Sequence, residues 1–210
     1  MNMEVRANNK VFLSGVVYSE PTFSHELYGE GFYEFILEVP RLSEQKDYIP
    51  TTISERLMGS VSIRKGETVS FFGQFRSFNK LVGDKSKLML TVFVRDFCST
   101  DDMENPNIAE LTGYVCKSPM YRTTPFNREI CDVLLAVNRA YDKSDYIPCI
   151  AWGRNARFVR DIQVGQKISI SGRIQSREYV KKLENGEQET RTAYELSINK
   201  IFIEDNSVEE

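Results

Sequence analysis

The sequence predicts an all-β fold in which two copies of one small barrel follow each other within 210 residues. The first observation is an internal repeat, because Asp47–Pro50 recurs as Asp145–Pro148 and Ile63–Gly73 is echoed by Ile162–Gly172. The second is that most segments of both halves alternate apolar and polar residues, as β-strands with one buried face do. A duplicated domain of about 100 residues is the simplest interpretation, and each copy is long enough to bury a core.

Five segments of the second half are predicted to be strands and one to be a helix. The predicted strands are 108–116, 129–138, 146–152, 167–175 and 192–203. Arg154–Val164 has apolar residues near one face of a helix, and Gly165 follows as a helix stop. Five strands with one short helix after the third is the order of an OB-fold, a five-stranded Greek-key barrel.

The first half has the same order of elements. Its strands are predicted near 9–18, 31–39, 47–53, 67–78 and 86–97, with a short helix near 54–61. The segment between the halves is polar and acidic and ends in Pro106, which indicates a linker. We therefore expect an N-terminal OB-fold domain at 1–98, a linker at 99–106, a C-terminal OB-fold domain at 107–204 and an acidic tail at 205–210.

Composition and motifs argue against several classes of protein. No apolar run approaches the roughly 18 residues of a membrane helix, and the N-terminus lacks the apolar segment of a signal peptide, so we expect a cytoplasmic protein. The four cysteines are far apart with no CxxC pair, which is typical of buried free thiols. Phosphate-loop, GxSxG, HExxH and EF-hand spacings are missing, and the one histidine, His25, lies in a polar loop. We therefore expect no enzymatic activity, no cofactor, no metal and no small-molecule substrate.

The charge is distributed unevenly between the halves. The net charge is −3, and residues 1–104 carry 12 Lys and Arg against 15 Asp and Glu. The second half has 15 of each, but four of its acids lie in the last eight residues. The second barrel is therefore the electropositive one, and a local basic face is what phosphate binding requires.

The second half also interleaves aromatic residues with cations, as single-stranded nucleic-acid binders do. The candidate stacking residues are Tyr141, Tyr146, Trp152 and Tyr179, and the candidate phosphate contacts are Arg122, Arg128, Arg139, Arg154, Arg173, Arg177, Lys181, Lys182 and Arg191. Residues 179–191 are predicted to form a long hairpin with Asn185-Gly186 as its turn. Aromatic residues on strands are often core residues, so composition alone leaves both interpretations open.

The second half resembles the bacterial single-stranded-DNA-binding protein (SSB) family. The stretches that carry the resemblance are 111–115, 119–125, 134–139, 145–156 and 165–179, in this order and spacing. The resemblance implies an OB-fold that stacks bases on four aromatic positions, which correspond here to Tyr141, Tyr146, Trp152 and Tyr179.

The repeat carries these four positions into the first half. Two of them become Ser43 and Ser54, and a third is kept as Tyr48. At the fourth, the register leaves either Asn79 or Lys80, with Phe78 close by. We therefore expect the first domain to be a degenerate OB-fold, with secondary weak contacts at Tyr48, Phe78 and Lys80.

The resemblance implies binding of single-stranded DNA with little sequence specificity, in replication, recombination or repair, by a cytoplasmic, nucleoid-associated protein. Since family members assemble four OB domains, a two-domain chain would reach that number as a homodimer. Two alternatives stay open from the sequence. One is an OB-fold protein–protein interaction module, such as a primosome or conjugation accessory factor with secondary nucleic-acid contact, and the other is RNA binding.

Overall fold

The computed structural model describes residues 7–99, 105–182 and 186–204, which form eleven strands and two short helices. The first domain contains β1 (Asn9–Val17), β2 (Thr22–Leu27), β3 (Glu30–Pro40), β4 (Lys46–Ser54), α1 (Glu55–Met58), β5 (Thr68–Val82) and β6 (Lys85–Phe97). The second contains β7 (Asn107–Thr123), β8 (Glu129–Arg139), β9 (Lys143–Trp152), α2 (Arg154–Arg160), β10 (Lys167–Lys182) and β11 (Gln188–Ile203). The prediction of an all-β protein with one short helix in each half is confirmed.

Each half closes into a five-stranded barrel. In the second, β7 pairs with β8 and β10, β8 pairs with β9, and β11 joins β9 to β10, with β9 and β11 parallel. In the first, β1, β3, β4, β6 and β5 are joined in the same order, again with one parallel pair, between β4 and β6. Both halves therefore have the OB-fold topology that the order of elements predicts.

Several predicted boundaries differ from the structure. The two helices are shorter than predicted, since α1 ends at Met58 and α2 at Arg160. Strand β2 was not predicted, because all six of its residues are exposed and it has no buried face to impose alternation. Strands β6 and β7 end and begin on either side of the expected linker, but residues 100–104, Asn185 and the expected tail at 205–210 lie outside the described residues. The proposed domain boundaries stay predictions.

The two barrels are joined through their first strands, which pair antiparallel. Asn9 pairs with Leu111 and Leu13 with Asn107, so the pairing is centred on Val11 and Ala109. In the repeat, Asn9 corresponds to Asn107 and Leu13 to Leu111, so exchanging the two domains reproduces the same pairs and relates the domains by an approximate two-fold axis. This places β10 of the second domain against β4 of the first, and β5 of the first against β9 of the second.

A reciprocal pair of buried aspartates connects the domains across this axis. The Oδ1 atom of Asp47 accepts a hydrogen bond of 2.8 Å from the backbone N–H of Ser176, and Oδ1 of Asp145 accepts one of 2.7 Å from that of Ser77. Each serine Oγ accepts in return from the amide that follows the aspartate, at 3.0 and 2.7 Å. Both aspartates are fully buried. The repeated Asp-Tyr-Ile-Pro segment therefore holds the two barrels in a fixed relative position.

Candidate nucleic-acid interface

Trp152 ends β9 on the outer face of the second barrel. The alternating residues Ile147, Cys149 and Ala151 are buried in the core, whereas Trp152 is 38% exposed. Its cross-strand neighbour is Ile130 of β8, which in turn pairs with Arg122 of β7. The period of two along each strand thus places a predicted phosphate contact and a predicted stacking residue in one row.

A cleft of about 880 Å³ lies beside Trp152 and is lined by both domains; we call it the Trp152 cleft. The second domain supplies Arg128, Arg173 and Arg177, and the first supplies Arg41 and Lys46. Arg41 and Lys46 are already paired, with Asp47 at 2.7 Å and Glu38 at 2.6 Å, and Arg177 lies 3.6 Å from Glu195. Among the described residues, Arg128 and Arg173 form no ion pair. These two guanidinium groups therefore have no ion pair to break when an anionic ligand binds next to the indole ring.

Tyr179 lies further along β10 and is also 38% exposed. It stands two residues beyond Arg177, whose guanidinium carbon is 5.9 Å from the centre of the phenol ring, and its cross-strand partner is Arg191. Arg191 forms an ion pair of 2.7 Å with Glu189. Lys181 and Lys182 follow on the same strand and are exposed. The hairpin therefore presents one aromatic ring among several cations, close to the strand segment that lines the Trp152 cleft.

Tyr146 belongs to a second outer row of the same barrel. It is 45% exposed and pairs with Ala136, which pairs with Tyr114 of β7. Tyr114 is 37% exposed and was missed by the sequence argument. The signal was present, because Leu111 and Gly113 of the same strand are buried and Tyr114 falls in the outward phase. Between the two tyrosines, this row contains only the small side chain of Ala136.

Tyr141 lies in a different cleft from Trp152. It occupies the tight turn between β8 and β9 with a positive φ of 62°, and its ring is 93% exposed. This second cleft, of about 1150 Å³, is lined by Arg139 and Lys143 of the second domain and by Arg76 and Arg95 of the first. We call it the Tyr141 cleft. The structure thus divides the four predicted stacking residues over at least two parts of the surface.

The remaining predicted cations differ in how far they are already engaged. Arg122 is bound to Asp132 at 2.9 Å. Arg139 lies 3.4 Å from the buried Asp145 and supports the domain interface. Arg154 begins α2, is exposed and forms no ion pair with the described residues. The assignment of each cation to phosphate contact stays a prediction.

The Asp145 carboxyl group is the buried acid behind the Tyr141 cleft. Burial raises the pKa of Asp145, and the hydrogen bond from Ser77 and the charges of Arg139 and Arg76 oppose that rise. Burial and the repulsion of Arg139 and Arg95 lower the pKa of Arg76 to about 10. Arg76 is therefore still charged at neutral pH, but it lies among cations that one carboxylate does not neutralise.

In the first barrel, Tyr48 corresponds to Tyr146 but has a different neighbour. Its cross-strand partner is Glu38, where the second barrel has Ala136, and the hydrogen bond to Glu38 raises the pKa of Tyr48. Its ring packs edge-on against Tyr18 at a centroid distance of 4.8 Å. A carboxylate beside the ring disfavours an approaching phosphate.

The structure settles the register of the fourth position in the first barrel. Asn9 bonds both the N–H and the carbonyl of Phe75, and Asn107 bonds Ile174 in the same way. Counting along β5 and β10 from these two anchors makes Lys80 the equivalent of Tyr179, and Phe78 the equivalent of Arg177. Phe78 is 42% exposed, so an aromatic ring remains on this strand, two residues before the position that the repeat predicts.

The described residues hold no group of three or more His, Cys, Asp or Glu side chains that could bind a metal ion. Cys131 and Cys149 are buried, whereas Cys98 and Cys116 are only partly so, and all four are free thiols. No helix in the described ranges is long and apolar enough to span a membrane.

Comparison with known proteins agrees with this geometry. The model of the single-strand binding protein family matches residues 106–203, the whole of the second barrel. Single-stranded DNA-binding protein B of Bacillus subtilis is 34% identical over 80 residues, which are 35% of this chain and 71% of that protein. This chain belongs to the single-strand binding protein family. It spans about half the length of other relatives that it matches, 48% in the case of single-stranded DNA-binding protein 1 of Staphylococcus aureus strain COL.

Solved structures resemble either a part of this chain or nearly all of it. The N-terminal domain of the PriB protein from Thermoanaerobacter tencongensis is 54% identical, with 43% of this chain and 94% of that chain covered and a TM-score of 0.39. The wild-type single-stranded DNA binding protein from Thermus aquaticus is 16% identical and has a TM-score of 0.74, with 96% of this chain and 95% of that chain covered. At this low identity the likeness shows the fold alone, and it extends over both barrels of this chain.

Proposed function

We propose that this protein binds single-stranded DNA with little sequence preference, mainly on the outer face of the second barrel. The observation that carries the proposal is the half-exposed indole of Trp152 beside Arg128 and Arg173, two cations without an ion pair among the described residues. A flat ring next to unpaired guanidinium groups fits an unpaired base followed by its phosphate. Membership of the single-strand binding protein family supports the same assignment.

The chemistry of the site is stacking plus charge neutralisation. Stacking of one base on an aromatic side chain contributes about 1–3 kcal/mol and accepts any base, since every base has a π-face. Trp152 and Tyr179 offer such faces on the second barrel, and Tyr146 offers a third in the same cross-strand row as Tyr114. Stacking and charge neutralisation make or break no covalent bond, so the bound strand is released chemically unchanged. We therefore propose a binding protein and not an enzyme, working without a cofactor.

The partners follow from the same reasoning. Two OB domains in one chain would give four in a homodimer, the number that the family assembles, so we propose that the protein acts as a homodimer. The cellular role would be protection of exposed strands in replication, recombination or repair, in the cytoplasm at the nucleoid. Light scattering of the purified chain tests the dimer, and a monomeric mass over the micromolar range would contradict it.

A competition experiment tests the polymer class. Fluorescein-labelled oligo-dT of about 35 nucleotides is bound to the full chain, and binding is followed by anisotropy. Unlabelled oligo-dT should displace it at far lower concentration than a DNA duplex of equal length, whose bases are unavailable for stacking. Equal displacement by oligo-U would indicate an RNA-binding protein. Absence of binding to any of these polymers would favour the protein–protein interaction module.

A further inference from the structure

The outer face of the first barrel carries an aromatic row of its own. His25 of β2 stacks on Phe32 of β3 with ring centres 5.0 Å apart and planes at 16°, and Phe32 lies 5.8 Å from Phe93 of β6. The guanidinium carbon of Arg76 lies 4.2 Å from the centre of the Phe93 ring, and that of Arg95 lies 5.9 Å from it. We call His25, Phe32 and Phe93 the ring row. It leads directly into the two arginines that line the Tyr141 cleft.

The ring row is specific to the first barrel, because the second barrel has no aromatic residues at the positions equivalent to Phe32 and Phe93. The strand pairing identifies the equivalent residues of the second barrel. The pairing of β5 with β6 and that of β10 with β11 each contain one irregularity, just before Gly73 and just before Gly172. The next pair after these glycines is Gln74 with Phe93 in the first barrel and Arg173 with Ser197 in the second, so Phe93 is equivalent to Ser197. Where the first barrel has Phe32, Phe93, Arg76 and Arg95, the second has Ile130, Ser197, Gln175 and Asn199. The first barrel has thus lost the aromatic residue at Ser54 and gained others on the neighbouring strands.

The same comparison shows why Arg76 and Arg95 form no direct ion pair with the described residues. In the second barrel, Gln175 donates a hydrogen bond of 2.8 Å to Glu195, which also pairs with Arg177. In the first barrel, Thr91 takes the place of Glu195, and its hydroxyl is bonded to Thr52 at 2.7 Å. The carboxylate that neutralises the second barrel at this point is therefore replaced by a neutral side chain.

The Tyr141 cleft consequently concentrates positive charge. Arg76, Arg95, Arg139 and Lys143 line it, and none of the described lining residues is acidic. The Nε atom of Arg76 is buried without a hydrogen-bond partner among the described residues. Asp145 lies behind the cluster and is committed to Ser77 and Arg139. A group of cations with one shared carboxylate is stabilised by an anionic ligand.

We propose that the first barrel has its own site for single-stranded DNA, in which phosphates occupy the Tyr141 cleft and bases stack along the ring row. Arginine planes and aromatic rings both accept unpaired bases. Phe78 and Lys80 extend the site from Arg76 along β5, whereas Tyr48 is not part of it. The proposal rests on the proposed function, and it adds that a strand held at Trp152 continues onto the first barrel.

The test replaces the first-barrel arginines by the residues of the second barrel. The full-length variant Arg76→Gln/Arg95→Asn is compared with Arg64→Gln/Lys65→Gln, which removes two cations from the exposed α1–β5 loop and makes the same change in net charge. Oligo-dT of about 10 and about 35 nucleotides is titrated at several salt concentrations. Anisotropy of the labelled DNA reports all binding, and Trp152 fluorescence reports the second barrel separately.

The proposal predicts that Arg76→Gln/Arg95→Asn leaves the quenching of Trp152 by the short oligonucleotide unchanged. For the long oligonucleotide the affinity should fall about ten-fold, and the salt slope should lose about 1.4, since each phosphate contact contributes about 0.7. The control variant should behave as the wild type. If the arginine variant unfolds, Phe93→Ser keeps both cations and should still weaken only the long oligonucleotide.

Other outcomes separate this proposal from the proposed function. In one outcome, oligo-dT quenches Trp152 normally, but neither the arginine substitutions nor Phe93→Ser changes the affinity for the long oligonucleotide. That result would overturn the first-barrel site alone. Binding that responds to these substitutions while Trp152 stays unquenched would support the first-barrel site and refute the second. Absence of any binding would overturn both.

Discussion

Asp145 of the second domain accepts a 2.7 Å hydrogen bond from the backbone amide of Ser77 in the first, although its side chain is fully buried. Asp47 does the same for Ser176 in the opposite direction. A buried carboxylate is tolerated only when it is paired and hydrogen-bonded, so both aspartates fix the position of the partner domain. The two clefts, each lined by both domains, are therefore formed before any ligand binds.

Removal of one such aspartate should destabilise the whole chain. Asp47→Ala leaves Arg41 without its two short bonds of 2.7 and 2.8 Å and leaves the amide of Ser176 unpaired. We expect a loss of about 3 kcal/mol in the free energy of unfolding, the cost of breaking a mostly buried ion pair. Urea denaturation measures it. Asp132→Ala, which breaks the exposed pair with Arg122, is the control and should cost less than about 1 kcal/mol.

The raised pKa of Asp145 gives a pH dependence of known sign. A carboxyl group that holds its proton more strongly in the folded state stabilises that state less as the pH rises. Relative to Asp145→Asn, the wild type should therefore lose stability from about pH 4, near the pKa of an unfolded aspartate, up to the raised folded value. Urea denaturation of both proteins at a series of pH values gives the difference. A difference that grows with pH in favour of the wild type would contradict the assignment.

The glycines repeated between the halves are places of close backbone approach. A Cβ atom added to Gly172 would lie 2.0 Å from the carbonyl oxygen of Ser197, and one added to Gly113 would lie 2.3 Å from that of Ala136. Gly172→Ala should therefore lower the free energy of unfolding by about 1–3 kcal/mol through overpacking. Ser171→Ala on the same strand, next to the bulge, is the control in a thermal unfolding experiment. Equal midpoints for the two variants would contradict the close approach.

Substitution of the proposed stacking residues should weaken DNA binding without unfolding the protein. Tyr179→Ala removes a 38% exposed ring, and we expect a loss of about 1–3 kcal/mol in the binding free energy of oligo-dT. Phe202→Ala removes a 63% exposed ring of β11 that lines neither cleft, and it should leave binding unchanged. Anisotropy titration measures both, and equal losses would show that the effect is not one of stacking at this site.

The sequence predicted the barrels well, because hydrophobic alternation determines which side of each strand faces the core. The same alternation places Trp152 and Tyr179 on the outer surface, as the structure shows. The repeat indicated which residues are equivalent, but not which surfaces of the two copies meet. For that reason the role of Asp47 and Asp145, which lie within the most obvious repeated segment, was not predicted.

The ring row and the Tyr141 cleft could not be predicted for a related reason. Carrying positions through the repeat detects the loss of an aromatic residue, such as that at Ser54, but not its replacement on a neighbouring strand by Phe32. The cation cluster combines Arg76 and Arg95 with the turn around Tyr141, and these segments come together only through the approximate two-fold axis. The expectation of a degenerate first domain rested on the four carried-over positions and on the negative charge of the first half, and it did not include these residues.

The most direct test of DNA binding by the second barrel is the fluorescence of Trp152, the only tryptophan of the chain. Oligo-dT is titrated into the full-length protein at low and at high salt. Stacking predicts strong quenching that saturates, with an affinity that falls steeply as salt rises because phosphate contacts release counter-ions. Binding by anisotropy with an unchanged Trp152 signal at both salt concentrations would contradict the placement of DNA at this site.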